Sequence, residues 1–217
     1  MIIMGEDRAL KFDILNELFN ISVGQAASLL SEMINRTLML NVPSIQIIDM
    51  QGNHADMNAF LPMDVDGTLM VSSICFENKL TGKANLIFPA EKMRRFINLC
   101  INEVIVDEIN DLSFSDIDFD IIREIGNIVL NCIVGGVSNY LHINLDYSLP
   151  EVKIFNKKDF ARDIKNNENY SRNMILLYIT FIIDETEIDG AIMINLTLTS
   201  LQELMSKIEK IEVELNE

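Results

Sequence analysis

Two stretches of this sequence carry the same polar residues in the same spacing: Asp13, Glu17 and Asn20 in one, Asp120, Glu124 and Asn127 in the other. A carboxylate only accepts hydrogen bonds, whereas a carboxamide both accepts and donates. On a helix, residues three apart stand side by side, so each Glu–Asn pair presents both kinds of group on one small patch. A single Glu-x-x-Asn reads as an ordinary solvated helix face. Asparagine, however, is a poor helix-interior residue because its side chain competes for the backbone. Its return in one phase with Glu and Asp, in two separate helices, points to chemistry.

The spacing extends beyond these residues. An offset of 107 carries Asp13 to Asp120, Glu17 to Glu124, Asn20 to Asn127 and Pro43 to Pro150, with 22 residues between each Asn and its Pro. With a one-residue slip, Gly82–Phe88 matches Gly190–Leu196. Shared order and offset argue for a duplicated unit. The chain 1–217 is therefore read as one domain of two repeats, about 10–106 and 115–213.

These residues need long helices to hold them. Apolar periodicity predicts helices over about 12–36 and 116–141, each followed by a turn and a Pro-led strand, at about 44–50 and 151–155. Polar excursions at 51–66 and 156–172 lead into strand pairs at about 68–76 and 84–88, then 174–183 and 190–196. Short helices at about 89–102 and 199–213 close the repeats, and the acidic stretch 107–118 links them. Helices alternating with hairpins predict an α+β fold rather than a doubly wound sheet.

At about 100° per residue, positions 13, 17, 20, 24, 27 and 31 share one stripe of the first helix. Leu15, Leu18, Ala26, Leu29 and Met33 form its expected core face. Gly24, one turn beyond Asn20, removes bulk and leaves room for another molecule's backbone. The second helix repeats the stripe as Asp120, Glu124, Asn127, Asn131, Val134 and Ser138, with Ile122, Ile125, Val129 and Ile133 turned inward.

Asp/Ser-x-x-x-Glu-x-x-Asn followed by 22 residues and Pro resembles the signature of the CheC/CheX/FliY phosphatases of bacterial chemotaxis. Asp13, Glu17, Asn20 and Pro43 fit it once; Asp120, Glu124, Asn127 and Pro150 fit it again. Two copies point to the CheC branch, since CheX-like chains carry one and FliY-like chains append a flagellar-switch domain, for which this length leaves no room. The resemblance implies two pseudo-symmetric halves sharing a β-sheet, with the two long helices outside. It implies a substrate of the CheY type, a response regulator phosphorylated on aspartate, and hydrolysis by a water that Asn20 or Asn127 orients. Glu17 and Glu124 would pair with a lysine beside the regulator's phosphoryl site, and Asp13 and Asp120 would tune the face. No cofactor is expected in this chain, because the Mg2+ belongs to the partner regulator. CheD, a receptor-modifying deamidase, is a second implied partner, and an adaptor that modulates receptor methylation without turnover is the alternative function. Against the family pattern, Phe19 stands where Gly is common, and Asn131 stands where the first copy has Gly24.

Composition narrows the partners. The 217 residues carry 17 Lys+Arg against 33 Asp+Glu, a formal charge of -16 and a pI near 4.4. Such a chain repels phosphodiester backbones and anionic headgroups, so neither nucleic acid nor membrane insertion is expected. Cys75, Cys100 and Cys132 stand far apart, which fits no disulfide framework and no Cys-x-x-Cys site. The first twelve residues lack the features of a signal peptide, and the longest apolar run, Met174–Ile183, is too short to span a bilayer as a helix. The expectation is a cytoplasmic protein. His54 and His142 stand alone. Asp116-Ile-Asp118-Phe-Asp120 imitates the start of a calcium loop but has Ile121 and Asn127 where Gly and Glu are needed. Ser113, Ser115 and Asp116 are instead helix-cap candidates, with Asp118 an anion near the helix start. Met50, Met57 and Met63 are candidates for an adaptable surface.

Overall fold

The computed structural model describes residues 3–42, 45–49, 67–101, 113–166 and 173–215. Along them run α1 (Ile3–Ile34), β1 (Leu38–Asn41), β2 (Ile45–Asp49), β3 (Thr68–Asn78), β4 (Gly82–Pro89) and α2 (Ala90–Cys100). There follow α3 (Asp116–Tyr140), β5 (Leu145–Tyr147), β6 (Glu151–Asn156), α4 (Lys157–Asn166), β7 (Asn173–Ile183), β8 (Thr186–Leu196) and α5 (Leu198–Leu215). The fold is a mixed helix and antiparallel-sheet architecture, as the pattern of helices and hairpins predicts.

The eight strands among the described residues join one sheet in the order β1-β7-β8-β4-β3-β5, with β2 also pairing along β7 and β6 along β3. The strands that follow α1 therefore attach to β7, and those that follow α3 attach to β3. Strands β4 and β8 meet in the middle, Gly82 opposite Leu196 and Ile87 opposite Ala191. N-terminal and C-terminal strands interleave, so neither set can be lifted away without opening hydrogen-bonded ladders.

The pleat sends alternate strand residues to opposite faces. Met70, Ile74, Phe76, Leu86, Phe88, Leu177, Phe181 and Ile192 share a large core with the inward sides of α1, α2, α3 and α5. Phe88, Phe96 and Phe181 form its aromatic centre, with ring centroids 5.0–6.4 Å apart. Leu69, Val71, Ile87, Leu176 and Met193 point the other way, into a smaller cluster that Phe160 of α4 closes.

Several elements depart from the sequence reading. Helix α1 begins at Ile3, well before the expected start near Phe12, and Lys11 Nζ reaches Glu209 Oε1 of α5 at 2.8 Å. Strands β1 and β5 escape a reading by pattern, because four-residue and three-residue runs beside Asn and Tyr carry almost no periodicity. The excursion 156–172 contains α4, whose mostly charged sequence hides its main anchor, Phe160, which is buried with its ring 5.5 Å from that of Phe155 and is flanked by Ala161 and Ile164. Asn156 starts that helix by accepting from the Asp159 backbone N–H at 2.8 Å. The excursion 51–66, with His54, Met57 and Met63, lies outside the described residues, as do Met50, Pro43 and much of the acidic link.

Helices α1 and α3 stop in the same way. Asn35 and His142, 107 residues apart, take the left-handed conformation (φ 51° and 52°). The next backbone N–H then reaches five residues back, Arg36 to Ser31 at 3.2 Å and Ile143 to Ser138 at 2.8 Å. This is the hydrogen-bond pattern of a Schellman stop, satisfying carbonyls that the helix end would leave unpaired.

Candidate active site

The buried side of α1 is Ile14, Leu15, Leu18, Phe19, Ser22, Val23, Ala26, Leu30 and Ile34, one stripe at helical period. Leu29 and Met33, expected in the core, are instead 41% exposed. The stripe advances with 3.6 residues per turn, so by the last turns Leu30 and Ile34 have replaced them. The opposite side holds Asp13, Glu17, Asn20 and Gly24, all exposed, while Ala27 and Ser31 are half-buried. A Cβ built on Gly24 would meet nothing within 4 Å. Ile21 stands beside this patch at 60% exposure. Ser31 leaves the stripe to serve the chain's exit from the helix. Its hydroxyl accepts from the Leu38 N–H at 2.9 Å and donates to the Ala27 carbonyl, steering the chain into β1.

On α3, Ile122, Ile125, Val129 and Ile133 are buried as expected. Asp120 and Glu124 are exposed, Asn127 and Asn131 half-buried, and the stripe then enters the core at Val134 and Ser138. Asn131 Nδ2 donates to Asn127 Oδ1 at 2.6 Å. Arg123 forms an ion pair with Asp120; the corresponding position beside Asp13 is Asn16. Ile128, the counterpart of Ile21, is half-buried. Pro150 is half-buried immediately before β6, whereas Pro43 lies outside the described residues.

Position 19 and its counterpart 126 lie on the packed side rather than in the patch. Phe19 is buried, and Gly126 lets α3 approach β3 so closely that a Cβ there would collide with Ser72 Oγ and fall 2.5 Å from the Ser72 Cβ. A second close approach, Gly136 against the Ser22 side chain, brings α3 onto α1. The departure at Phe19 therefore concerns packing, not the exposed patch.

Residues 116–120 start α3. Ser115 is the N-cap and forms a capping box with Asp118: the Ser115 N–H and hydroxyl donate to Asp118 Oδ2 at 2.7 and 2.9 Å, and Arg94 Nη1 adds a third bond at 2.9 Å. Burial opposes the charge on Asp118, but these bonds from Ser115 and Arg94 outweigh it and hold the carboxyl below its ordinary range. Arg94 also lies over the Phe114 ring, 4.6 Å from its centroid. Among the described residues, no three His, Cys, Asp or Glu side chains are grouped to hold a metal ion. Burial pushes the Cys100 thiol up to about 12. Helix α3 is long and apolar enough to cross a membrane by length and composition, and its apolar side packs inside the protein. A cleft of about 360 Å³ at the β3–β5 edge is lined by Cys75, Glu77, Asp146 and Tyr147, and an apolar gap of about 30 Å³ lies beside Phe19. No motif residue lines either. The candidate chemistry sits on open helix surface, which suits a macromolecular partner better than a small ligand.

Three features of the site go unseen by the sequence reading: Ile21, the Arg123–Asp120 pair and the Asn127–Asn131 bond. The last two follow from the spacing rule for helix neighbours three and four apart. Nothing in the sequence distinguishes Ile21 from its buried neighbours without the phase of the helix on the sheet.

No protein-family model matches the chain. It is 28% identical over 146 residues to "CheY-P phosphatase CheC" of Bacillus subtilis; that stretch covers 66% of each chain, so it spans just under two thirds of the relative. In fold it is similar to Thermotoga maritima FliY, with a TM-score of 0.69 at 18% identity, covering 97% of this chain and 99% of that one. The FliM middle domain of H. pylori follows at a TM-score of 0.60 and 12% identity, covering 91% of this chain and 97% of that one. With the motif present twice, the chain resembles the CheC/CheX/FliY proteins in sequence and in fold.

Proposed function

We propose that the protein is a phosphatase of aspartyl-phosphorylated response regulators of the CheY type, acting in cytoplasmic chemotaxis signalling. The observation that carries this reading is the exposed Glu17–Asn20 pair on α1, with Gly24 clear of all neighbours one turn away. The sequence relation to a CheY-P phosphatase supports it.

An acyl phosphate is already activated, so its hydrolysis needs a water held in line with phosphorus rather than a new nucleophile. The Asn20 carboxamide accepts from that water through its oxygen and donates through its NH2. Glu17, one turn earlier on the same face, pairs with a cationic side chain of the regulator and fixes the approach. Gly24 and Ile21 supply a low, apolar flank against which the partner's backbone rests. The Mg2+ that such a regulator carries comes with the partner. Glu124 and Asn127 form the second site, with Asp13 and Asp120 setting the local charge. Pro43 and Pro150 complete the two motifs without touching the chemistry.

Phosphate release from a panel of phosphorylated response regulators, with and without the protein, tests this. Acceleration for at least one regulator is expected. No acceleration for any of them, together with retained binding, would favour the second reading: an adaptor for a regulator or for CheD that modulates receptor methylation. The likeness to FliM, solved in complexes with SpeE and with FliG, favours that reading to the extent that the fold serves there in assembly.

A further inference from the structure

We propose that Asn131 is a latch on the second site: it holds the Asn127 carboxamide against α3 and makes that site the slower of the two. The inference rests on the phosphatase reading for its kinetic consequence, and on the hydrogen bond alone for its structural one.

Asn131 Nδ2 and Asn127 Oδ1 are 2.6 Å apart in a half-buried setting one turn along the same helix. A carboxamide oxygen that must hold a water beyond the helix surface has to point outward. Here it points along the helix, toward its neighbour. Asn127 can act only after that bond breaks or while its second lone pair is used in a less favourable direction. On α1 the position corresponding to Asn131 is Gly24, which has no side chain, and Asn20 has no hydrogen-bond partner among the described residues. Releasing one ordinary hydrogen bond before each turnover corresponds to a rate penalty of about 3- to 10-fold. Asn131 does not touch the reacting groups in this scheme; it is a positioning residue acting through Asn127.

Bulk at 131 would also hinder docking, and the two effects separate on substitution. Leucine has nearly the shape of asparagine without a donor. In a protein whose first site is disabled by Asn20→Ala, adding Asn131→Leu should raise kcat about 3- to 10-fold with KM for the regulator little changed. If KM falls while kcat stays fixed, or if Asn131→Leu does nothing and only Asn131→Gly speeds the site, bulk is the cause and the latch is wrong. The reciprocal transfer, in an Asn127→Ala background, should slow the first site by a similar factor more with Gly24→Asn than with Gly24→Leu, which adds the bulk without the donor; equal slowing would assign the effect to bulk and overturn the latch.

The bond can be read without turnover. In the free protein, the Asn127 side-chain carbonyl 13C resonance should lie downfield of that of Asn20 and shift upfield on Asn131→Leu. No shift overturns the latch whether or not the protein is a phosphatase. A clear shift in a protein that accelerates no regulator would uphold the latch and count against the function.

Discussion

Helices α1 and α3 carry one motif in two settings. On α1 the Asp13–Glu17–Asn20 face is open, flanked by a bare Gly24 and an exposed Ile21. On α3 the same residue types are partly engaged: Asp120 pairs with Arg123, Asn127 bonds to Asn131, and the stripe sinks into the core at Val134. The difference does not lie in the motif, which is the same in both copies, but in residues three or four positions away that the motif leaves unspecified. A matching signature tells which groups stand on a surface. Neighbours one turn distant decide whether those groups are free to act.

The largest expected effect comes from removing both asparagines. Asn20→Ala with Asn127→Ala should cut the acceleration of regulator dephosphorylation by about 10²-fold, the scale of losing a positioned reactant, with no fall in melting temperature, since Ala suits a helix interior better than Asn does. Phosphate release beside thermal unfolding checks both halves of the statement. Undiminished turnover in the double variant would pass the function to the adaptor reading.

Next in size is the packed counterpart of that open face. Gly126→Ala forces a methyl into Ser72, whose Cβ would lie 2.5 Å away, and should destabilise the fold by about 1–3 kcal/mol. Gly24→Ala meets nothing and should instead stabilise by up to about 1 kcal/mol, as a glycine leaves an open helix interior, while slowing turnover by filling the docking flank. Urea unfolding of the two variants should give opposite signs. Equal signs would mean that the helix faces are assigned wrongly.

The start of α3 gives a pH test. Asp118 has its carboxyl held below the ordinary range in the folded protein, so the folded state binds its proton less readily than the unfolded chain. That stability is fully present above the unfolded carboxylate value and is lost as pH falls through the lowered folded one. Asp118→Asn should cost about 1 kcal/mol at neutral pH, the scale of a lost helix cap, and should flatten the acid limb of the stability curve. The smallest effect is electrostatic. Glu17→Ala should weaken regulator binding a few-fold, as for an exposed ion pair, and the loss should shrink as salt rises.

Both motifs and most of the sheet are legible in the sequence. The 107-residue offset carries the motifs, and apolar runs mark β3, β4, β7 and β8 because each buries one or both faces in a core. Elements whose stability comes from distant partners are not legible. β1 is a short run held by β7, far along the chain (Leu38 faces Ile183), and α4 is a charged helix held through buried Phe160, with Ala161 and Ile164 packed beside it. Leu29 and Met33 read as inward because composition alone gives a helix no phase; packing on the sheet sets it. Type and spacing pick out the candidate residues. Their freedom stays hidden, since it depends on the side-chain geometry of Asn131 and Arg123.

The central claim is that exposure of the carboxamide, rather than possession of the motif, sets the rate of each site. Single-variant turnover on the same phosphorylated regulator tests it most directly. Asn127→Ala should keep most of the wild-type rate and Asn20→Ala should lose most of it, both proteins remaining folded. Equal losses, or a greater loss from Asn127→Ala, would contradict the account.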